Sequence, residues 1–332
     1  MIKNLTKLIL PMALMAAFLA PGTGLAGMVG EPAPALNVSE WLKGGPVEIK
    51  PGTNVYVVEI WNSTSAGCRA AITNLNAIQQ RYGDKGVVVV AVSDEGVAKL
   101  KPFMSGEGTN IQYTVAADNK RYTSLTYMNP VMRRVIPYTF VVGTNGDLLW
   151  HGAPFQGLEH ILFMVTSKAF DEEAAKQADL ATHQLEQYLL LAHQGGDRLK
   201  MAGQNLLAAR TNDVAGLCTM AYAISITPKL AVRDMALAGQ ALDLAEKLSA
   251  TNSSSVMIPR AIWLFESGKH EEGLALAKKA LTFAESPAEK SNIGVCIRTM
   301  ENRMAGKPDN AGAESVGGAN PGPAGAAPTG KP

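Results

Sequence analysis

Two kinds of hydrophobic pattern divide this chain. Up to about residue 168 the apolar positions fall in short, nearly continuous runs. Asn54–Ile60 and Gly86–Val92 are rich in valine, as expected of strands covered on both faces in a parallel sheet. Between them Ile72, Leu75 and Ile78 recur at helical spacing, so Arg69–Tyr82 reads as a helix. "YGDKG" is then the turn into the second strand. Tyr138–Val142 and Leu148–Trp150 flank "GTNGD", a hairpin signal, and Gly157–Ala169 reads as a helix. The stretch before that hairpin has a less regular pattern.

From Phe170 onwards strand signals stop, and alanine and leucine dominate. Ile258, Ala261, Ile262 and Phe265 mark one helix face; Leu274, Ala277 and Leu281 mark another after a break at Gly268. A weaker pair spans Asp213–Ile226 and Ala231–Leu248. "LDLAEKL" and "LALAKKA" stand about one repeat apart, in the range of TPR-like helix-hairpin modules. An ordinary helical bundle would satisfy the same pattern. The expected architecture is an α/β domain over 27–168 and an all-α domain over 169–304. The stretch 305–332 is Gly, Ala and Pro with almost no bulky apolar residue, so it is expected to be disordered.

The N-terminus changes the picture of compartment. Lys3 and Lys7 precede an apolar stretch, Leu8 to Ala20, too short for a membrane-spanning helix. Gly24 and Ala26 supply small residues for cleavage after Ala26. Residues 1–26 thus read as a signal peptide, and the mature chain is expected to be exported, periplasmic or extracellular, without spanning the membrane. An uncleaved anchor is the alternative reading. Lys+Arg of 30 against Asp+Glu of 29 gives no electrostatic case for nucleic acid. The three cysteines, Cys68, Cys218 and Cys296, do not form a disulfide scaffold, and the five histidines have no metal-ligand spacing. No metal or cofactor is expected. Cys218 and Cys296 lie in apolar helical contexts and read as buried packing residues.

The chemistry concentrates in "VEIWNSTSAGCRA", Val58 to Ala70. A carboxylate, Glu59, sits inside an apolar strand; Trp61 ends it; Cys68 lies at the start of a helix. Together with "VGEPAP" at Val29–Pro34 and "VIPYTFVVGTNGDLLW" at Val135–Trp150, this resembles the exported thioredoxin-like family, in particular periplasmic thiol–disulfide reductases of the TlpA type. The resemblance implies a thioredoxin-like fold from about Val29 to Lys168. It matches Trp61 to the family tryptophan, Cys68 to the second cysteine of Cys-x-x-Cys, Pro137 to the cis-proline and Glu59 to the buried acid.

The first cysteine of that motif is Ser65 here, in Ser65-Ala66-Gly67-Cys68. A dithiol cycle needs an attacking and a resolving sulfur, and serine cannot form a disulfide. Ser65 reads as a helix N-cap. The helix N-terminus favours a Cys68 thiolate, whereas burial and a charged Glu59 oppose it. Cys68 is therefore expected to be less acidic than a family nucleophile. Ser65–Cys68 also fits the Thr/Ser-x-x-Cys spacing of peroxiredoxins, but their upstream proline is Trp61 here, and their later arginine is Pro137, with Arg133 and Arg134 close by in sequence.

Two functions follow as expectations. The first is a peptide- or thiol-binding module, using Trp61 and Pro137, whose helical domain binds a protein partner. The second is a monothiol oxidoreductase or peroxidase-like enzyme using Cys68, with Glu59 and Ser65 at its site.

Overall fold

A computed structural model describes residues 28–131, 135–249 and 253–307. The expected signal peptide, most of the expected disordered tail, Arg133 and Arg134 lie outside the described residues. The chain divides between Phe170 and Asp171 into two compact units.

The first unit is built on β1 (Val38–Lys43), β2 (Val55–Trp61), α1 (Ala66–Tyr82), β3 (Val87–Ser93), α2 (Val97–Ser105), β4 (Thr114–Asp118), α3 (Tyr122–Met128), β5 (Tyr138–Val142), β6 (Leu148–Gly152) and α4 (Leu158–Thr166). The six-stranded sheet has the order β1-β4-β3-β2-β5-β6. β2, β3 and β4 are parallel neighbours, while β1, β5 and β6 join antiparallel. Every residue of β2 is buried, which is why its sequence runs apolar without alternation. α1 and α4 cover one face through Ile72, Leu75, Ile78, Leu158 and Leu162. α3 covers the other, with Tyr127 and Met128 against Tyr56, Val58 and Phe140.

Four of these elements fall in stretches where the sequence carries no clean period. β1 is an edge strand of mixed burial with two register shifts against β4. α2 contains Pro102, β4 has five residues, and α3 has seven, entered through Arg121 in the left-handed region. Nothing on Arg121 caps α3; the buried Asp118 carboxylate does so, accepting from the N–H groups of Thr123 (2.9 Å) and Ser124 (2.7 Å). α1 begins at Ala66, three residues before the start that its apolar spacing suggests, because Ser65 caps it.

The second unit is all-helical: α5 (Glu172–Gln194), α6 (Arg198–Ala208), α7 (Val214–Ile226), α8 (Met235–Leu248), α9 (Ser254–Glu266), α10 (His270–Leu281) and α11 (Pro287–Met304). Asp171, Asp213, Asp234 and Ser286 cap α5, α7, α8 and α11 with their side chains. Gly268, with φ +88°, makes the turn between α9 and α10. One core gathers Leu217, Met220, Ile224, Leu237 and Leu242; another gathers Phe265, Ala277, Ala280, Ile293 and Ile297. Trp263 pins α9 to α8 by donating from Nε1 to the Met235 carbonyl at 2.8 Å.

Candidate functional site

The candidate site forms where β2 ends and α1 begins. In a parallel unit the strand delivers its last residue to the helix N-terminus, so Trp61, the loop 62–65 and Cys68 come together by topology. Ser65 has extended backbone, φ −74° and ψ 124°, and its Oγ accepts from the Cys68 N–H at 3.4 Å. Asn62 Oδ1 in turn accepts from the Ser65 N–H at 2.8 Å and from Thr64 Oγ1 at 3.1 Å. The loop is thus folded on itself by side chains that mimic backbone turns.

Cys68 faces inward and is only 2% exposed. Burial is the largest influence on its thiol and pushes its pKa up. Hydrogen bonds from Asn62 and Ser65 favour the thiolate, but the Glu59 and Asp94 charges add to burial, and the net shift is upward. The residues turned outward at the same helix start are Ala66 and Gly67. A Cβ added at Gly67 would lie 3.3 Å from Pro137 Cδ, so the first turn of α1 sits against that proline. The Ile136–Pro137 peptide is cis. Pro137 is half-buried, and Val135 beside it is 76% exposed.

Glu59 lies on β2 and is 1% exposed. Its Oε2 accepts from Thr139 Oγ1 on the paired strand β5 at 2.5 Å, while Oε1 has no hydrogen-bond partner. Burial pushes its pKa up to about 8, against the lowering effect of the Thr139 bond. Near pH 7 the group is therefore largely protonated. Tyr113 also joins this buried set, close enough for Glu59 and Cys68 to act on its hydroxyl. Trp61 is buried, packs edge-on against Phe103 at 5.7 Å between ring centroids, and leaves Nε1 unpaired. Trp61 is a core residue at the rim of the site, not an exposed binding platform.

Sequence reasoning passes over Thr139, Asn62, Tyr113 and Glu95. Glu95 follows β3 and is buried; its carboxylate accepts from the Ser63 N–H at 2.6 Å. These partners stand 80 and 32 residues apart for the Glu59 and Ser63 bonds, a pairing that no local periodicity encodes. "SDEG" directly after the β3 run was the available signal, an acid at the strand end where the fold places its site.

All three cysteines are free. Cys218 is buried, as expected, whereas Cys296, expected to be a buried packing residue, is half-buried and packs from α11 at the margin of the last core. Burial pushes both thiols up to about 11. Among the described residues no three His, Cys, Asp or Glu side chains gather as a metal site, and no helix is long and apolar enough to cross a membrane.

The β2–α1–β3 unit, the antiparallel β5–β6 hairpin, α4 and the proline facing the helix start give the first unit a thioredoxin-like fold, followed by an all-helical region. In keeping with this, residues 29–151 match the AhpC/TSA family. The chain is 22% identical to Protein FixW of Rhizobium leguminosarum over 132 residues, which is 37% of this chain and 60% of that protein's length. Among solved structures, a thiol-disulfide isomerase from Corynebacterium glutamicum is 18% identical, covering 42% of this chain and 96% of its own, with a TM-score of 0.34. A 2-Cys peroxiredoxin from Plasmodium vivax, reduced, is 15% identical, covering 42% and 95%, with a TM-score of 0.36. A thioredoxin-family thiol:disulfide interchange protein from Chlorobium tepidum is 19% identical, covering 41% and 95%, with a TM-score of 0.32.

Proposed function

We propose that this protein is an exported thioredoxin-fold binding module that has lost the dithiol cycle. The observation that carries this reading is Cys68: the one sulfur of the motif is buried, its thiol is pushed up, and Ser65 stands where a second sulfur would be. A nucleophilic thiol needs access and a stabilised thiolate, and Cys68 is poorly served in both. What faces outward instead is Ala66, Gly67, Pro137 and Val135, a small patch suited to an extended peptide. The helical unit would supply a protein partner's surface; Tyr222 and Ile226 on α7 and Val295 on α11 expose apolar side chains there. Export is supported by Lys3, Lys7 and the short apolar stretch behind them.

Insulin reduction with a dithiol reductant tests the reading. Wild type is expected to give no turnover above a Cys68→Ser variant. Turnover that depends on Cys68 would overturn it in favour of a thiol enzyme.

A further inference from the structure

Glu95 is the least expected group at the site, a buried carboxylate that touches neither the cysteine nor the proline. It sits just after β3, and three contacts define it. Its Oε2 accepts from the backbone N–H of Ser63 at 2.6 Å and from Ser93 Oγ at 3.4 Å, and its Oε1 lies 2.8 Å from Lys99 Nζ one turn into α2. Ser63 itself is buried in the middle of the loop that joins Trp61 to the Ser65 cap. The same connection gives a second tie, the Asp94 N–H to the Trp61 carbonyl at 3.3 Å. Arg69 Nη1 holds the Ser63 carbonyl from the α1 side at 3.1 Å.

We propose that Glu95 is the positioning residue of the site: its hydrogen bond to Ser63 latches the loop 62–65 in the register that caps α1 and keeps Cys68 covered. This rests on the reading of Cys68 as a buried, unreactive thiol. The physical case is one of cost. A buried carboxylate is tolerated when it is paired and hydrogen-bonded, and here a lysine and a backbone N–H do both. A charge-assisted bond to a backbone N–H is stronger than a neutral one, and this one crosses from the β3–α2 connection to the loop that precedes α1. Remove it and the Ser63 N–H, which is buried, loses its acceptor. Of the loop's remaining ties, those from Asn62 to Ser65 and Thr64 are internal to it, and Arg69 holds the Ser63 carbonyl from α1, so the Glu95 bond is what ties Ser63 to the β3–α2 connection.

The test compares wild type, Glu95→Ala and Glu95→Gln in the full chain by two readouts: hydrogen exchange at the Ser63 amide and the alkylation rate of Cys68 in folded protein. In Glu95→Ala, Ser63 exchange and Cys68 alkylation are both expected to rise by about tenfold or more, the scale of losing a charge-assisted bond. Glu95→Gln keeps an acceptor oxygen for Ser63 and is expected to restore most of the protection, which a general loss of stability would not do. Cys68 slow in wild type and equally slow in Glu95→Ala would overturn the latch and leave the binding-module reading standing. Equal acceleration in the Ala and Gln variants would also overturn it, since the Ser63 bond would then not be what matters. Fast labelling in folded wild type would overturn the binding-module reading, and the latch with it. If Glu95→Ala does not fold, wild type against Glu95→Gln decides: protection of Ser63 kept in the Gln variant supports the latch, and its loss counts against it.

Discussion

At the scale of single residues, Glu59 has the most measurable consequence. Unfolded, its carboxyl ionises near about 4.3. Folded, burial holds its proton to about 8. Between those values the folded chain binds one proton more than the unfolded chain, so stability falls as pH rises across that window. The limiting slope from this one group is about 1.4 kcal/mol per pH unit. Glu59→Gln removes the titration while keeping an acceptor for Thr139 Oγ1. Urea midpoints from pH 5 to pH 8 are expected to fall in wild type and to fall distinctly less in the variant. Parallel profiles would show that Glu59 does not carry the effect. Glu95 has the opposite sign. Burial opposes its charge, but Lys99 and the Ser63 bonds outweigh burial and lower its pKa, so its contribution is lost as pH falls through the folded value.

At the scale of elements, Gly273 on α10 is, among the described glycines of the helical unit, the one set closest to the backbone of a neighbouring helix. A Cβ there would lie 2.6 Å from the Ala261 carbonyl oxygen and 2.9 Å from the Phe265 nitrogen on α9. Those are backbone atoms, so the helices must move apart to admit a methyl group. Gly273→Ala is expected to destabilise the helical unit by about 1–3 kcal/mol, the usual cost of overpacking. Hydrogen exchange should show faster amides in α9 and α10, with the β2 and β3 amides unchanged; unchanged α9 amides would contradict the packing argument. The sequence made this hairpin readable: Phe265, Leu274 and Ala277 keep helical spacing on either side of Gly268. β2, β3, α1 and the β5–β6 hairpin were readable for similar reasons, since continuous valine or a 3.6-residue period reports burial directly. β1, β4, α2 and α3 were not. Their side chains are short, mixed or interrupted by Pro102, and their places are set by partners far along the chain. The same holds at the site. Cys68, Ser65, Trp61, Glu59 and Pro137 stand out as residue types, whereas Thr139 and Glu95 matter only through where the sheet brings them.

At the scale of the whole molecule, each unit has cores of its own. Val57, Leu75, Val89 and Leu162 lie in one cluster of the first unit, and Tyr56, Tyr127 and Phe140 in the other. Leu217, Ile224 and Leu242, and separately Phe265 and Ile293, do the same for the second. With sheet faces covered on both sides, a fragment of residues 28–170 is expected to fold alone and to melt cooperatively in circular dichroism. A fragment without a thermal transition would show that the first unit depends on the second.

The central claim is that this thioredoxin-like site keeps its surface and gives up its thiol chemistry. The most direct test is the pH dependence of Cys68 alkylation in folded, full-length protein, read by mass spectrometry. Slow labelling across neutral pH, becoming fast only on unfolding, is the predicted result, because Cys68 is buried and its thiol is pushed up. Fast labelling in the folded protein with an apparent pKa below about 7.5 would contradict it, and would make Cys68 an activated nucleophile.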